Sequence, residues 1–455
     1  MRRTNATFML LLGVIILLSA GSQASSATPI DYYVSADHGN DFYDGRSVDT
    51  PFRTLQKAHN VTAPGDTVHI MEGTYFGRRT PLLRISRSGQ PGAYITYKAY
   101  EDHKPVLTVD RAWEHVVIEG ASYIVIEGLE VAGIAQEYTQ EEAEEVYEYF
   151  REIHQTNQWS SVNWGYLATT STAGIFVKEN PGTKQIPHHI IIRNNLVHHV
   201  PGGGIGASRV DYITIENNVV HNSAWYSPYA TSGISIYQPQ DIDDNTEDYK
   251  IIIRGNLSHS NRTKVKWAVS GDYSDGNGII IDDAHGYQSS DWGRYHGRML
   301  VENNIVYNNG GSGIHVYASD NVDIINNTAY QNSVNPALNY GAIFANTASN
   351  VRIMNNIAHG DGTDRANEDW RNQNVVYDNN IWYNFRTVRV QGETDRIIDP
   401  MFVNAQEKDF RLHEDSPARG SANPDLAPET DFFGNPRPRT GFDVGAILPR
   451  RLGDE

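Results

Sequence analysis

Paired asparagines recur through the middle of this chain, and each pair follows a short run of alternating apolar residues. The steps between the second positions of the pairs are 23, 38, 48, 23, 29 and 24 residues. Asn tolerates left-handed turn geometry, and stacked Asn side chains can hydrogen-bond to one another. The short steps therefore fit one coil of a solenoid, and the long steps fit coils with inserted loops. The repeating positions are Asn195, Asn218, Asn256, Asn304, Asn327, Asn356 and Asn380, with Gly255 replacing the first Asn once.

A second strand, opened by glycine, follows each of these turns. Strand alternation directs the first and third residues after each glycine into the core, and the second and fourth outward. The two repeats together predict an all-β fold, a single-stranded parallel β-helix of about ten coils. A short helix over residues 52–60 is predicted to cap its first coil. The opening glycines are Gly174, Gly204, Gly233, Gly278, Gly313 and Gly341.

The domain organisation follows from what interrupts this repeat. Residues 1–24 have a basic start, a short apolar run and a small-residue cleavage site, which is the pattern of a secretory signal. Residues 25–455 are predicted to form one β-helix domain with insertions at about 135–172, 262–277 and 284–298. The first insertion contains a capping box that predicts an acidic helix over 141–154. The segment 399–455 is predicted to wrap the last coil.

Composition and charge restrict the partners of such a protein. The chain has no cysteine, which excludes disulfides and thiolate chemistry, and its formal net charge is −18. An acidic surface repels nucleic acid and anionic membranes, and no later segment is apolar enough to span a bilayer. We therefore expect a secreted monomer, extracellular or periplasmic, that acts on an extracellular polysaccharide. An anionic polysaccharide would need a local basic patch or a bound cation.

Both ends of the chain resemble those of a known group of proteins. The resemblance covers nearly the whole chain after the signal and is to secreted right-handed parallel β-helix proteins, especially pectate-lyase-like and alginate-lyase-like polysaccharide lyases. It implies the handedness of the coil and activity on a polysaccharide. Glycoside hydrolases and uronate epimerases share this architecture. The residues concerned are Tyr32-Tyr33-Val34-Ser35, Gly39-Asn40-Asp41, Pro51-Phe52-Arg53-Thr54, Pro64-Gly65-Asp66-Thr67-Val68, Asp399-Pro400-Met401-Phe402 and Asp443-Val444-Gly445-Ala446.

Outward positions of the glycine-led strands line up in columns along the coil. The column four residues after each glycine is predicted to contain Lys178, Ser208, Tyr237, Asp282, Tyr317 and Ala345. Arg209 lies in the next column, and His315 lies in the column at the second position. An acid, a base and a cation on one strand face are the groups that proton abstraction next to a carboxylate requires. The predicted catalytic residues are Lys178, Arg209, Tyr237, His315 and Tyr317.

Four aspartates enter one coil and suggest a cation site. Asp272 and Asp275 lie in the loop before the strand 278–281, and Asp282 and Asp283 directly follow that strand. Calcium takes six to eight oxygen ligands at about 2.3 to 2.6 Å, so four converging carboxylates would suit it. The site resembles the aspartate-lined calcium site of pectate-lyase-like β-helices, although no lysine aligns one coil beyond it. The alternative is that Asp272 and Asp275 serve turn geometry alone.

Aromatic residues on the inserted loops are candidates for stacking against sugar rings. We predict substrate contacts for Trp164, Trp267, Tyr287 and Trp292. The alternative is that these rings only cover exposed strand surface. Another set of rings, three residues past each second Asn, is predicted to be a structural stack; it contains His198, His221, His259, Tyr307, Tyr330, His359 and Tyr383.

Three functions remain open from the sequence. The leading hypothesis is a lyase that cleaves a uronate-containing polysaccharide by β-elimination, and an epimerase is a variant of it. The second is a glycoside hydrolase that uses two carboxylates. The third is a carbohydrate-binding surface protein without catalytic activity. The lyase alone leaves an unsaturated sugar end, so the reaction products distinguish the three hypotheses.

Overall fold

A computed structural model describes residues 28–288, 292–438 and 440–447. The predicted secretory signal over 1–24 lies outside the described residues. The chain coils through three parallel sheets, and successive coils stack their strands in register to give sheets of 11, 9 and 11 strands. The predicted parallel β-helix is confirmed. A two-stranded antiparallel ribbon, Phe402–Asn404 with Asp409–Leu412, follows the coils.

The strands are short, as the close spacing of turn residues predicts. Sheet 1 contains Asp31–Val34, Thr67–Ile70, Ile95–Ala99, Ile124–Glu127, His188–Arg193, Asp211–Glu216, Tyr249–Arg254, Arg298–Glu302, Val322–Ile325, Ser349–Met354 and Gln373–Asp378. Sheet 2 contains Leu83–Ile85, Glu114–Glu119, Ala173–Lys178, Ile205–Ser208, Ile234–Tyr237, Ile279–Asp282, Ile314–Tyr317, Ile343–Asn346 and Asp369–Trp370. Sheet 3 contains Thr74–Arg78, Val106–Asp110, Glu130–Ala132, Leu196–His198, Val219–His221, Leu257–His259, Ile305–Tyr307, Thr328–Tyr330, Ile357–His359, Ile381–Tyr383 and Arg396–Ile397.

Three α-helices and three short 3-10 turns interrupt the coils. Helix α1 is Leu55–Val61, α2 is Gln140–Thr156 and α3 is Trp164–Ser171. The 3-10 turns are Ala135–Glu137, Trp159–Ser161 and Ala405–Glu407. The capping box predicted at the start of α2 is present, because Thr139 and Glu142 exchange hydrogen bonds. Helix α3 was not predicted, because its aromatic residues were assigned to a loop.

Inward side chains of all three sheets form one continuous apolar core, and an asparagine ladder runs beside it. Each ladder Asn donates its side-chain amide to the next Asn, from Asn195 to Asn380, at 3.0 Å. Asp395 ends the ladder by accepting from Asn380. A second ladder, Asn261 to Asn309 to Asn332, was not predicted. The ladders satisfy buried polar groups at the turns of successive coils.

The predicted stack of rings on sheet 3 is confirmed over four coils. His198, His221, His259 and Tyr307 lie nearly parallel, with successive ring centroids 5.2, 4.9 and 4.5 Å apart. Burial, followed by the neighbouring His198 and His199, lowers the pKa of His221 to about 4. Burial, followed by His221 and Lys408, also lowers the pKa of His259 to about 4. His221 and His259 are therefore neutral at pH 7, and the four rings of the stack pack against one another.

The chain after the last coil runs back along the solenoid. The prediction from the sequence was that this segment wraps the final coil. Its backbone accepts hydrogen bonds from Asn379, Asn355, Asn326 and Asn303, which belong to successive earlier coils. Its apolar residues cover outer residues of sheet 3. Among the described residues, no helix has the length and apolar character to cross a membrane.

Candidate functional site

The outer face of sheet 2 lies between two sets of loops. Loops that lead from sheet 3 to sheet 2, here called the connecting wall, comprise residues 133–172, 222–232, 260–277 and 331–341. The wall has its own apolar cluster, in which α2 packs against Leu167, Tyr226 and Val265. Loops 179–187, 238–248 and 283–297 leave the other end of sheet 2. The face between them was predicted from the sequence to bear the active site.

One correction concerns the register of the last full coil. Tyr317 pairs with Asn346, and His315 pairs with Phe344. The sequence prediction placed Ala345 in the outward column, because it counted from Gly341. Ala342 is an extra residue before the strand, so every later residue changes face. The outward column therefore ends at Asn346, which the sequence analysis missed.

Asp282 lies at the centre of this face, between two tyrosines. Strand pairing places Tyr237 on one side of Asp282 and Tyr317 on the other. Burial, followed by the negative charges of Asp275 and Asp283, raises the pKa of Asp282 well above its usual range. Burial also raises the pKa of Asp275 to about 7, against a hydrogen bond from Asn277 that lowers it. Asp275 and Asp282, here called the carboxyl pair, are near enough for the charge of Asp275 to act on Asp282, and both bind protons more tightly than an isolated aspartate does.

The four aspartates predicted to bind calcium do not come together as one group among the described residues. Among the described residues, the one group of three or more potential ligands within 4.8 Å of one another is His413, Glu414 and Asp415, outside the coils. Asp283 is fully buried, and its carboxylate accepts from Gln238 at 2.7 Å and from the backbone N–H groups of Tyr287 and Gln288 at 2.8 and 2.9 Å.

Asp272 also stands apart from the predicted site. It is exposed, and its carbonyl closes a tight turn with the Trp267 backbone. Asp272 therefore fits the alternative reading, in which it contributes to turn geometry alone. Asp283 holds the loop that follows it through its hydrogen bonds to the Tyr287 and Gln288 backbone. These side chains do not fit a shared calcium shell, and no catalytic step is derived through calcium.

His315 lies on the same face but is buried, with 6% of its surface exposed. The sequence analysis predicted an outward-facing position for it. Its ring stacks on Phe344 at 4.3 Å and lies 5.9 Å from Tyr340. Nε2 is 3.2 Å from the Asn346 carbonyl oxygen, which must accept a hydrogen, so Nδ1 carries the lone pair. Nδ1 has no hydrogen-bond partner. Burial lowers the pKa of His315 to about 4, so the ring is neutral at pH 7.

The two predicted cations are already paired with acids. Lys178 Nζ lies 2.7 Å from Glu114, and Arg209 Nη1 lies 2.7 Å from Glu179. The Arg209 guanidinium also lies 4.9 Å over the ring of Trp292. Both cations therefore already have an acidic partner, and the catalytic roles predicted for them stay predictions. The columns read from the sequence predict which residues are neighbours across the sheet. They do not predict that Glu114 and Glu179, from other coils and loops, pair with these cations.

The predicted aromatic residues are dispersed around the site. Trp164 is 52% exposed and lies 6.3 Å from Trp113, near the start of sheet 2. Tyr287 is 67% exposed and lies against His285. Trp292 lies under Arg209, and Trp267 lies in the turn with Asp272. Within the described part of the chain, no two of these four rings stack together.

The matching family establishes what kind of β-helix this is. The family described as Pel9A-like, right-handed β-helix region, matches residues 32–356. The chain belongs to this family. The match includes the outer face of sheet 2 with Tyr237, Asp282, His315, Tyr317 and Asn346, and it ends before the segment that runs back along the coils.

One sequence relative and two solved structures illustrate what the chain is similar to. The uncharacterized protein YwoF of Bacillus subtilis (strain 168) is 25% identical over 478 residues, covering 90% of this chain and 98% of that protein. A solved structure of pectate lyase Pel9A matches with a TM-score of 0.51 and 16% identity, covering 93% of this chain and 97% of that chain. A lacto-N-biosidase from Eubacterium ramulus matches with a TM-score of 0.46 and 15% identity, covering 81% and 66%.

Proposed function

We propose that the protein is a polysaccharide-active enzyme that cleaves a uronate-containing polysaccharide by β-elimination on the outer face of sheet 2. The observation that carries the proposal is the position of Asp282 between Tyr237 and Tyr317 on one strand face, with Asp275 near enough for its charge to act on Asp282. Membership of the Pel9A-like family, and the fold shared with a pectate lyase, support the choice of substrate class. Residues 1–24 support export of the enzyme to a polysaccharide outside the cell.

The carboxyl pair supplies a means of neutralising the substrate. β-Elimination from a uronate requires that the negative charge on its carboxylate be neutralised before the α-proton leaves. A protonated carboxyl group donates a short, strong hydrogen bond to a carboxylate. Because the pKa of Asp275 is raised to about 7 and that of Asp282 is also raised, a protonated carboxyl of the pair can donate to the uronate where a cation would otherwise be required. An acidic protein can then bind an acidic sugar locally.

His315 and Tyr237 supply the proton transfers. Asn346 orients His315 with its proton on Nε2, so that Nδ1 is the atom that accepts the α-proton. Burial raises the pKa of Tyr237 to about 12, with Asp282 as the second cause. Tyr237 is therefore a neutral phenol at pH 7 that can donate a proton to the leaving glycosidic oxygen. Asn346 is a positioning residue in this scheme, because it acts through His315.

Tyr340 is one of the aromatic residues that pack around the buried His315 ring. Tyr340 comes from the 331–341 loop of the connecting wall, lies 5.9 Å from His315, and is close enough to Asp275 for that charge to raise its pKa after burial. We infer that the sugar unit which loses its proton displaces the Tyr340 side chain. Apo geometry is often tighter or looser than that of the substrate complex.

A glycoside hydrolase is the second candidate, and the raised pKa of Asp282 favours it specifically. A hydrolase requires one carboxylic acid that stays protonated near neutral pH to protonate the leaving oxygen. Asp282 meets that requirement. The second carboxylate would have to lie across the groove from Asp282.

The test is a product assay on a panel of uronate polymers and neutral polymers, with Asp282→Asn as the variant. We expect wild-type protein to release ultraviolet-absorbing unsaturated ends from a uronate polymer. Asp282→Asn should lower kcat/KM by about 10² or more, the range for a positioned acid or base. Asp272→Asn, an exposed aspartate on the adjoining loop, is the matched control and should stay near wild type. New reducing ends without unsaturation would favour the hydrolase, and no product from any polymer would contradict both.

A further inference from the structure

A pair of cations lies on the sheet 3 side of the connecting wall, away from the carboxyl pair. Arg262 and Lys264 lie two residues apart on a stretch whose backbone N–H groups donate to the carbonyls of Ser223 and Trp225 at 3.1 and 2.8 Å. Burial, followed by the charge of Arg262, lowers the pKa of Lys264. Burial also lowers the pKa of Arg262. Within the described part of the chain, neither residue has an ion pair with a carboxylate. This contrasts with Lys178 and Arg209, which are each paired with a glutamate.

The surroundings of this pair hold donors that have no acceptor. The Lys264 ammonium lies 3.2 Å from the centroid of the Trp225 ring and 5.2 Å from that of Tyr226. The indole Nε1 of Trp225 and the Nε of Arg262 are both buried without a hydrogen-bond partner. Arg262 Nη2 donates to Asn308 at 2.7 Å, which fixes the guanidinium in place. Buried donors without partners are rare and indicate a missing acceptor.

The remaining neighbours are neutral or distant from the cations. His199 lies 5.9 Å from the Trp225 ring, and burial, His198 and Lys264 lower the pKa of His199. Its Nε2 faces the Asn222 amide at 3.0 Å and its Nδ1 faces His198 at 2.7 Å, so both nitrogens already have a partner. Glu141 at the start of α2 is the nearby acid, and its charge acts on Tyr226.

We propose that Arg262 and Lys264, with Trp225, form a binding site for an oxyanion on the sheet 3 side of the connecting wall. The ligand chemistry is a carboxylate, sulfate or phosphate group, because two fixed cations and unpartnered N–H donors match acceptor oxygens. The anion can belong to an acidic polysaccharide or be a free inorganic ion. In either case the site is separate from the carboxyl pair on sheet 2, and it does not rest on the proposed reaction.

The test is anion binding by the full chain, measured by calorimetry and by the NMR signal of the Trp225 indole N–H, assigned with Trp225→Phe. The probes are sodium sulfate, sodium phosphate and an oligomer of galacturonate. Lys264→Met should weaken binding about tenfold or more, the loss expected for one charge-assisted hydrogen bond. Lys266→Met, which removes an equal charge from an exposed position two residues away, is the matched control, and Lys264→Arg should retain binding.

Each outcome bears on the assignment. Tighter binding of the galacturonate oligomer than of sulfate or phosphate assigns the anion to a sugar polymer, and the reverse order assigns it to a free ion. Binding that shifts the Trp225 signal and is lost in Lys264→Met supports the site in both cases. Equal binding by wild type, Lys264→Met and Lys266→Met would overturn it, as would the absence of binding by all three probes. Polymer cleavage need not occur for any of these measurements.

Discussion

At the scale of single residues, the decisive property is the protonation state of a few buried groups. The outer face of sheet 2 has one carboxyl pair that holds a proton, one imidazole that does not, and phenols that stay neutral. These states follow from burial and from neighbouring charges. The sequence could identify Asp282, His315 and Tyr237 from their columns, but their pKa values depend on the loops that cover them.

The Asp275 carboxyl gives a prediction for stability as a function of pH. Its pKa is about 7 in the folded chain, above the value of 3.8 for an unperturbed Asp. The folded state therefore binds more protons, and its stability contribution is full below pH 3.8 and is lost as pH rises through about 7. Relative to wild type, Asp275→Asn should therefore gain about 2–3 kcal/mol in its free energy of unfolding between pH 5 and pH 8.5.

Denaturant unfolding at both pH values measures this difference. Asp272→Asn serves as the control, since Asp272 is exposed and should give the same small change at both pH values. A stability difference between Asp275→Asn and wild type that does not grow with pH would show that Asp275 ionises normally in the folded protein.

The role of His315 gives a prediction for turnover. His315→Ala should lower kcat on the cleaved polymer by about 10² to 10⁴, because a positioned base contributes that much. Asn346→Ala should lower kcat less and shift the acidic limb of the pH profile, since it removes the group that fixes the His315 tautomer. His221→Ala, in the ring stack of sheet 3, controls for loss of a buried ring. A folded His315→Ala variant with normal kcat would exclude His315 as the base.

At the scale of elements, the asparagine ladder fixes where each coil turns. Asn304 accepts from Asn256 and donates to Asn327 and to the Ile253 carbonyl. Asn304→Ala should lower the free energy of unfolding by about 2 kcal/mol or more, because it leaves several buried groups unpaired. Asn339→Ala, at an exposed position with one hydrogen bond to Arg365, should change it little. Chemical denaturation compares the two, and equal effects would contradict a stabilising role for the ladder.

The positions of the coils could be predicted from the sequence, but the register of the strand Ile343–Asn346 could not. The Asn and Gly repeats report turn geometry that every coil must satisfy, so most columns were predicted in the correct register. Ala342 adds one residue before the last full strand, and no change in the repeat signals this. Because this extra residue was not recognised, the predicted column contained Ala345 where the structure has Asn346. The hydrogen-bond partner of His315 was therefore not predicted.

At the scale of the whole molecule, the coils fix where the strand residues lie. Contacts from loops and from other coils determine the ion pairs and hydrogen bonds of those residues. Glu114, Glu179 and Gln238 come from different coils or turns, and they pair with Lys178, Arg209 and Asp283. A single sequence does not reveal such long-range pairs, so the acidic partners of Lys178 and Arg209 and the loop contacts of Asp283 were not predicted. The coils, in contrast, depend on local repeats and could be predicted.

The central claim is that the polymer is cleaved by elimination, and cleavage in heavy-oxygen water tests it most directly. Elimination breaks the glycosidic bond without adding water, whereas hydrolysis adds one water for each bond broken. The measurement is mass spectrometry of oligosaccharides released from a uronate polymer by wild-type protein. We predict products that carry an unsaturated end and no heavy oxygen from solvent. Products that carry one solvent oxygen for each cleavage would contradict elimination and assign the reaction to a hydrolase.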